Sequence, residues 1–208
     1  MWLCAVLVWD RVPVCAVAGA RPAAPRGVAR LFVDGRDLGQ SGQPVNEAAK
    51  VMADFRKRVD EYLALQEKLD ASLPKLPEKA TPKQIDEHQR ALAALVQEAR
   101  RDARPGDLFT PDMQALAREL MARVFGNPKK RRSLRASIED ESPRGVSVTV
   151  NGRYPDNVPL TTMPPDVLRN LPPLPEDLEY RFVGRSLILL DVRAHLVVDV
   201  APRVLPSE

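Results

Sequence analysis

The sequence predicts an α+β fold: an antiparallel helical hairpin with a third helix, a long proline-rich connection, and a small C-terminal antiparallel β meander. Three observations carry this. Apolar residues between 52 and 99 recur at spacings of three and four, which marks one face of a helix. Residues 178–201 hold three strand-length apolar runs separated by short turns. Between these two regions lie many of the 20 prolines of the 208-residue chain. Proline cannot donate to a helix or sheet ladder, so such segments are turns, edges and extended connections.

The first element is the N-terminal run MWLCAVLVW, split from VPVCAVAGA by Asp10 and Arg11. Ala16-Val17-Ala18 and Ala18-Gly19-Ala20 have the small-residue form of signal-peptidase sites, so residues 1–20 read as an export signal. No basic residue precedes the run; a misassigned start on a cytoplasmic protein would leave the same trace. The run falls short of the roughly 20 apolar residues that span a bilayer. Residues 21–45, rich in Ala, Pro, Arg and Gly, read as a disordered lead-in. Both cysteines, Cys4 and Cys15, belong to the first fifteen residues, so the rest of the chain has no thiolate nucleophile, disulfide or cysteine zinc site.

A helical unit is expected over residues 46–126. Its first helix, capped by Asn46, carries the seam Met52, Phe55, Val59, Tyr62, Gln66, Leu69 and Leu73. Pro74 ends it, because proline disfavours the helical conformation in the residue before it. The second starts at T-P-K-Q, with Thr81 as cap, Pro82 in the first turn and Gln84 closing a capping box. Its predicted seam is Ile85, His88, Leu92, Leu95 and Ala99. A connection of about seven residues implies antiparallel packing. Pairing residues equidistant from the turn sets Gln66 against His88, read as a hydrogen-bonded polar layer that fixes register. A ligand or pH-sensing role is the alternative for that pair. The third helix has Thr110 as cap and the stripe Met113, Leu116, Leu120 and Val124, and stops at Gly126.

Residues 127–144 then read as a charged linker. Lys129, Lys130, Arg131, Arg132 and Arg135 supply five cations; without them the chain, net +3, would be net negative. These five are the anion-binding candidates. No aromatic residue interleaves them for base stacking, so nucleic-acid binding is the minor alternative. GVSVTV before the Asn151-Gly152 turn reads as a strand whose return is cut short by Pro155. A short helix is expected within Pro165 to Leu171.

The meander EYRFVGRSLILLDVRAHLVVDVAP divides into strands near residues 178–183, 186–192 and 196–201. Its middle strand is apolar on both faces and is therefore expected to be covered on both, by the helices on one side and the short helix with the proline segment on the other. Asp191, His195 and Asp199 recur at intervals of four, the one pattern here with metal-ligand residue types. Read on the strands, they become two strand-end aspartates facing water around a turn histidine, so they stand as metal candidates only. Ser186 is the nearest potential nucleophile to His195, but nothing resembles a nucleophile elbow. Nor is there a phosphate loop or dinucleotide fingerprint. No cofactor is expected.

Residues 154–206, beginning YPDNVPLTTMPPDVLRNLPPLPEDLEY, resemble the end of a family of uncharacterised, exported bacterial proteins. More distantly, EYRFVGRSLILLDVRAHLVVDV is similar to the final hairpin of the periplasmic nickel/cobalt-homeostasis family. There a proline-led segment ends in a tyrosine-containing strand, a leucine-rich strand ending near an acidic residue, and an Ile/Val-rich strand. Phe182 stands where that family often has tryptophan, and Ala194-His195 replaces the glycine of its last turn. The resemblance implies export and a small β element; without a histidine-rich segment it does not imply nickel or cobalt binding. The function expected is an exported, periplasmic or secreted, non-enzymatic structural or partner-binding module with a protein partner in the envelope. A metal-binding or hydrolytic protein is the alternative.

Overall fold

A computed structural model describes residues 43–141 and 146–206. The leader expected over residues 1–20, and the lead-in as far as residue 42, lie outside the described residues. Helix α1 spans Gln43–Asp70, α2 Pro82–Ala99, α3 Pro111–Val124, α4 Pro128–Glu141 and α5 Pro165–Leu168. Strands β1 (Leu178–Val183), β2 (Ser186–Asp191) and β3 (Leu196–Ala201) form an antiparallel sheet in that order. The fold is α+β with a C-terminal meander. Among the described residues no helix is long and apolar enough to cross a membrane.

The seam of α1 holds: Phe55, Val59, Tyr62 and Gln66 are buried. Asn46 lies inside α1 and is not its cap, since the helix already begins at Gln43. Helix α2 opens on the predicted capping box, with the Thr81 side chain accepting from the Gln84 N–H and the Gln84 side chain accepting from the Thr81 N–H. Its buried face differs from the predicted seam. Leu92, Ala93 and Val96 are buried, Leu95 is half-buried, and Ile85 and Ala99 are exposed. The small Ala93 turns inward, and Gln89 and Gln97 at the flanks reach the Val192 and Asn151 carbonyls.

The charged stretch after Gly126 is not a linker but a helix, α4. Pro128 enters its first turn, where a missing N–H costs nothing. Leu134 and Ile138, one turn apart, bring it onto the core, with Ile138 fully buried. Two well-spaced apolar residues sufficed; the charges around them masked the signal.

One core joins the helices to the sheet. Phe55 of α1, Phe109 of the α2–α3 loop and Tyr180 of β1 stack with ring centroids 5.5–6.5 Å apart. Leu187 and Leu189 of β2 enter this core, while Ile188 and Leu190 enter a smaller cluster with Tyr154, Val183 and Val197. The middle strand is thus buried on both faces, as its LILL sequence requires. What covers the second face is Tyr154 with Val146, Val148 and Val158. Helix α5 was expected there, but its Val167 packs into the helix-side core.

Both sheet edges are occupied, as exposed edges would otherwise template further pairing. Beside β1, the Thr161 hydroxyl accepts from the Phe182 N–H and donates to the Phe182 carbonyl. Beside β3, Asn151 N–H donates to Val197 O at 2.7 Å, and Val197 N–H to Gly152 O at 2.8 Å. Residues 146–150 consequently form no strand; the predicted return segment pairs with β3 instead. Asn151 takes φ +61° at that turn, and its amide donates to the carbonyls of Gln97 and Arg100 at the end of α2. The β1–β2 turn has its positive φ at Gly184.

Candidate functional site

Tyr62, Gln66 and Asp70 stand one helical turn apart on α1 and form a polar ladder facing the β2–β3 turn. Its inner rungs meet Asp191, which is fully buried. The Tyr62 hydroxyl donates to Asp191 Oδ2, the Gln66 amide donates to the same oxygen at 2.7 Å, and Ala194 N–H donates to Oδ1 at 2.7 Å. Burial raises the Asp191 carboxyl above its usual range, against the opposing pull of the Ala194, Tyr62, Gln66 and Arg193 hydrogen bonds. Burial and the neighbouring carboxylate also raise the Tyr62 phenol, which keeps it a donor. The Arg100 guanidinium lies 5.1 Å from the centre of the Tyr62 ring.

The outer rung is half-exposed. Asp70 accepts from Arg193 in the β2–β3 turn and pairs with His88 Nε2 of α2 at 2.8 Å, while Arg193 also approaches Asp177 at 3.5 Å. Gln66 and His88, expected to face each other, therefore do not. Gln66 is claimed by the buried Asp191 carboxylate, and His88 finds its polar partner one turn further along α1.

A groove of about 500 Å³ opens over this cluster, walled by Glu67, Asp70, Lys75, Leu76, His88 and Arg193. It runs into a second lobe of about 250 Å³ that adds Ile85 and Val192 over a Leu92 floor. Leu76, Ile85 and Val192 are 40%, 49% and 39% exposed, so three of the exposed large apolar side chains among the described residues share one groove. Helical spacing assigns Ile85 to the buried seam of α2, and gives neither it nor Asp70, Leu76, Val192 and Arg193 a place in a site. The recurrence of Tyr62, Gln66 and Asp70 at intervals of four was the available signal for the ladder.

The triplet Asp191, His195 and Asp199 does not converge. Asp191 points to α1, and both aspartates are wholly buried, contrary to the expectation that strand-end aspartates face water. Asp199 owes its direction to a bulge. The register passes from Leu190↔Val197 to Leu189↔Asp199, leaving Val198 unmatched. Without that extra residue Asp199 would share a face with Val197 in the smaller cluster. With it, Asp199 turns to the helix side and accepts from the N–H groups of Gly106 (3.0 Å), Leu108 (2.8 Å), Phe109 (2.7 Å) and Val200 (2.7 Å). It thereby holds the α2–α3 loop on the sheet.

His195 sits at the end of the β2–β3 turn with φ +52°, edge-on to the Tyr154 ring and 3.7 Å from Asp156. Burial, then the Arg153 charge, lowers its pKa. A left-handed backbone favours glycine and excludes β-branched residues most strongly. His195→Val is expected to cost about 1–2 kcal/mol, while His195→Gly stays within about 1 kcal/mol of wild type; thermal unfolding of the pair checks this. Ser186 begins β2 and His195 follows its end, so the two cannot form a nucleophile–base pair. Among the described residues, no group of three His, Cys, Asp or Glu is placed to hold a metal ion.

Of the anion-binding candidates, Arg131 and Arg132 are both exposed, and Arg131 Nε donates to the Phe125 carbonyl at 2.9 Å. The side chains of Lys129, Lys130 and Arg135 lie outside the described residues. Fold and groove together define a small α+β module with a solvent-facing cleft at the linker end of its helical hairpin. No protein-family model matches the chain, and no curated protein or solved structure does.

Proposed function

We propose that this chain is an exported cell-envelope protein that acts as a non-enzymatic, partner-binding module and docks another protein chain in the groove between α1, α2 and the β2–β3 turn. The observation that carries the docking reading is the gathering of Leu76, Ile85 and Val192 around one cleft. Exposed apolar side chains gathered in one cleft with polar neighbours mark interaction sites more often than scattered ones do. The polar groups between them are held by one another through Asp70, which gives the cleft a rigid frame. Export is supported by the apolar N-terminal run with its Ala-Val-Ala and Ala-Gly-Ala ends, and by the resemblance of residues 154–206 to exported proteins.

Two measurements test this. Residues 1–40 fused to a reporter active only outside the cytoplasm are expected to export it; cytoplasmic retention sinks the envelope assignment. Cross-linking the full chain in envelope extracts is expected to yield an adduct that Ile85→Asp abolishes. Ile85 is half-exposed, so the variant should unfold at the wild-type temperature, and an unchanged adduct rejects the groove.

A second reading rests on the His88–Asp70 pair, since a carboxylate that orients an imidazole beside a cleft is also the framework of a general base or metal ligand. Calorimetry with zinc and nickel on wild type and His88→Ala tests it, and equal absence of heat ends the metal version.

A further inference from the structure

We propose that the chain docked in this groove is a second copy of the same protein, giving a two-fold symmetric dimer. The inference rests on the reading of the groove as a docking face and names its occupant. Its basis is the charge left unmatched around the apolar residues. Asp70 and Arg193 neutralise one another within the cluster, and His88 is hydrogen-bonded to Asp70. Two charged groups on the same wall have no ion-pair partner among the described residues: Glu67 on α1 and Lys75 in the α1–α2 linker. A partner of one strong charge would satisfy one of them and oppose the other.

A two-fold copy satisfies both. In an isologous interface the contact of residue i with residue j recurs as j with i. A patch that holds one carboxylate and one ammonium, set apart, can therefore place Glu67 of each copy against Lys75 of the other. The same operation brings the exposed Leu76, Ile85 and Val192 of both copies together and removes them from water. Closed two-fold dimers are also the commonest soluble assemblies. The groove is modest and its charges lie at a wet rim, so the dimer forms at high protein concentration and loosens with salt.

Sedimentation of the full chain over a concentration series tests the proposal. The wild type is expected to pass from monomer to dimer, and Ile85→Asp to remain monomeric. Glu67→Lys and Lys75→Glu, taken singly, each place two like-charge pairs across the axis and are expected to weaken dimerisation roughly tenfold. The double variant restores opposite charges and is expected to recover the wild-type equilibrium, a rescue that a merely structural role would not produce. Zero-length carbodiimide coupling of mixed light and heavy chains is expected to join Glu67 of one copy to Lys75 of the other. A monomer at every concentration overturns the dimer, as does a double variant no tighter than the single ones. If the chain is monomeric while Ile85→Asp still abolishes the envelope adduct, the dimer is wrong and the docking face stands. If Ile85→Asp changes neither, both are wrong.

Discussion

Asp199→Asn is expected to destabilise the protein by about 4 kcal/mol, the largest loss from any single polar substitution here. The carboxylate receives four backbone N–H groups, two on each oxygen. An amide retains one oxygen and puts an NH2 group where the other stood, so donor faces donor. The partners cannot adapt, because a backbone N–H has no acceptor to offer. The Leu108 and Phe109 N–H groups are buried and those of Gly106 and Val200 partly so, and an unmatched donor there loses hydration with little compensation. At roughly 2–4 °C per kcal/mol for a chain of this size, the midpoint should fall by about 8–16 °C. Faster hydrogen exchange is expected first at Gly106, Leu108 and Phe109, since the α2–α3 loop loses its anchor. A midpoint within 2 °C of wild type would show that Asp199 does not hold the loop.

Asp191 should respond differently to the same change. Two of its partners, the Tyr62 hydroxyl and the Gln66 amide, can reverse their roles by rotation. Asp191→Asn is therefore expected to cost about 1 kcal/mol at neutral pH, against about 3 kcal/mol for Asp191→Ala, which leaves those donors and Ala194 N–H unmatched beside a cavity. The pH dependence separates the ionised from the neutral side chain. Because burial raises the folded-state pKa above the reference value of 3.8, the folded protein binds the Asp191 proton more tightly than the unfolded chain does. Stability from this group is then fully present below the unfolded value and is lost as pH rises through the folded value. Wild type minus Asp191→Asn stability, measured by urea unfolding from pH 3 to 8, should decline as pH rises. A difference that increases with pH would mean the carboxylate is better stabilised inside the protein than in water.

The contrast between the two aspartates marks how far the sequence could be read. Their spacing around His195 suggested ligands, and strand alternation suggested solvent-facing ends; neither is their place. Both residues are acceptors for donors at least 90 positions away in the chain. The helical hairpin, by contrast, was legible residue by residue on α1, where Phe55, Val59, Tyr62 and Gln66 lie on the buried face as spaced. On α2 the cap was legible and the face was not. Turning a helix by less than one residue exchanges Leu95 for Ala93, and only the packed neighbours select between them. α4 was missed because its apolar signal is two residues long and its charges are many. The groove was missed because its walls come from α1, the linker, α2 and the β2–β3 turn, and no local pattern joins them.

What the sequence determined by itself were the elements set by local forces: the capped starts of α2 and α3, the seam of α1, and the three strands with their turns. These depend on dihedral preferences and on side-chain period, which neighbouring residues impose on one another. What only the tertiary structure decided was the direction of the polar groups. The bulge at Val198 exists between two strands, not within one, and it alone sends Asp199 to the helices. Likewise Gln66 left His88 because a carboxylate from β2 is buried against it. Burial makes an unmatched polar atom expensive, so the core chooses partners by proximity in space. That choice leaves Asp70, His88 and Arg193 at the surface, framing the cleft in which the apolar residues gather.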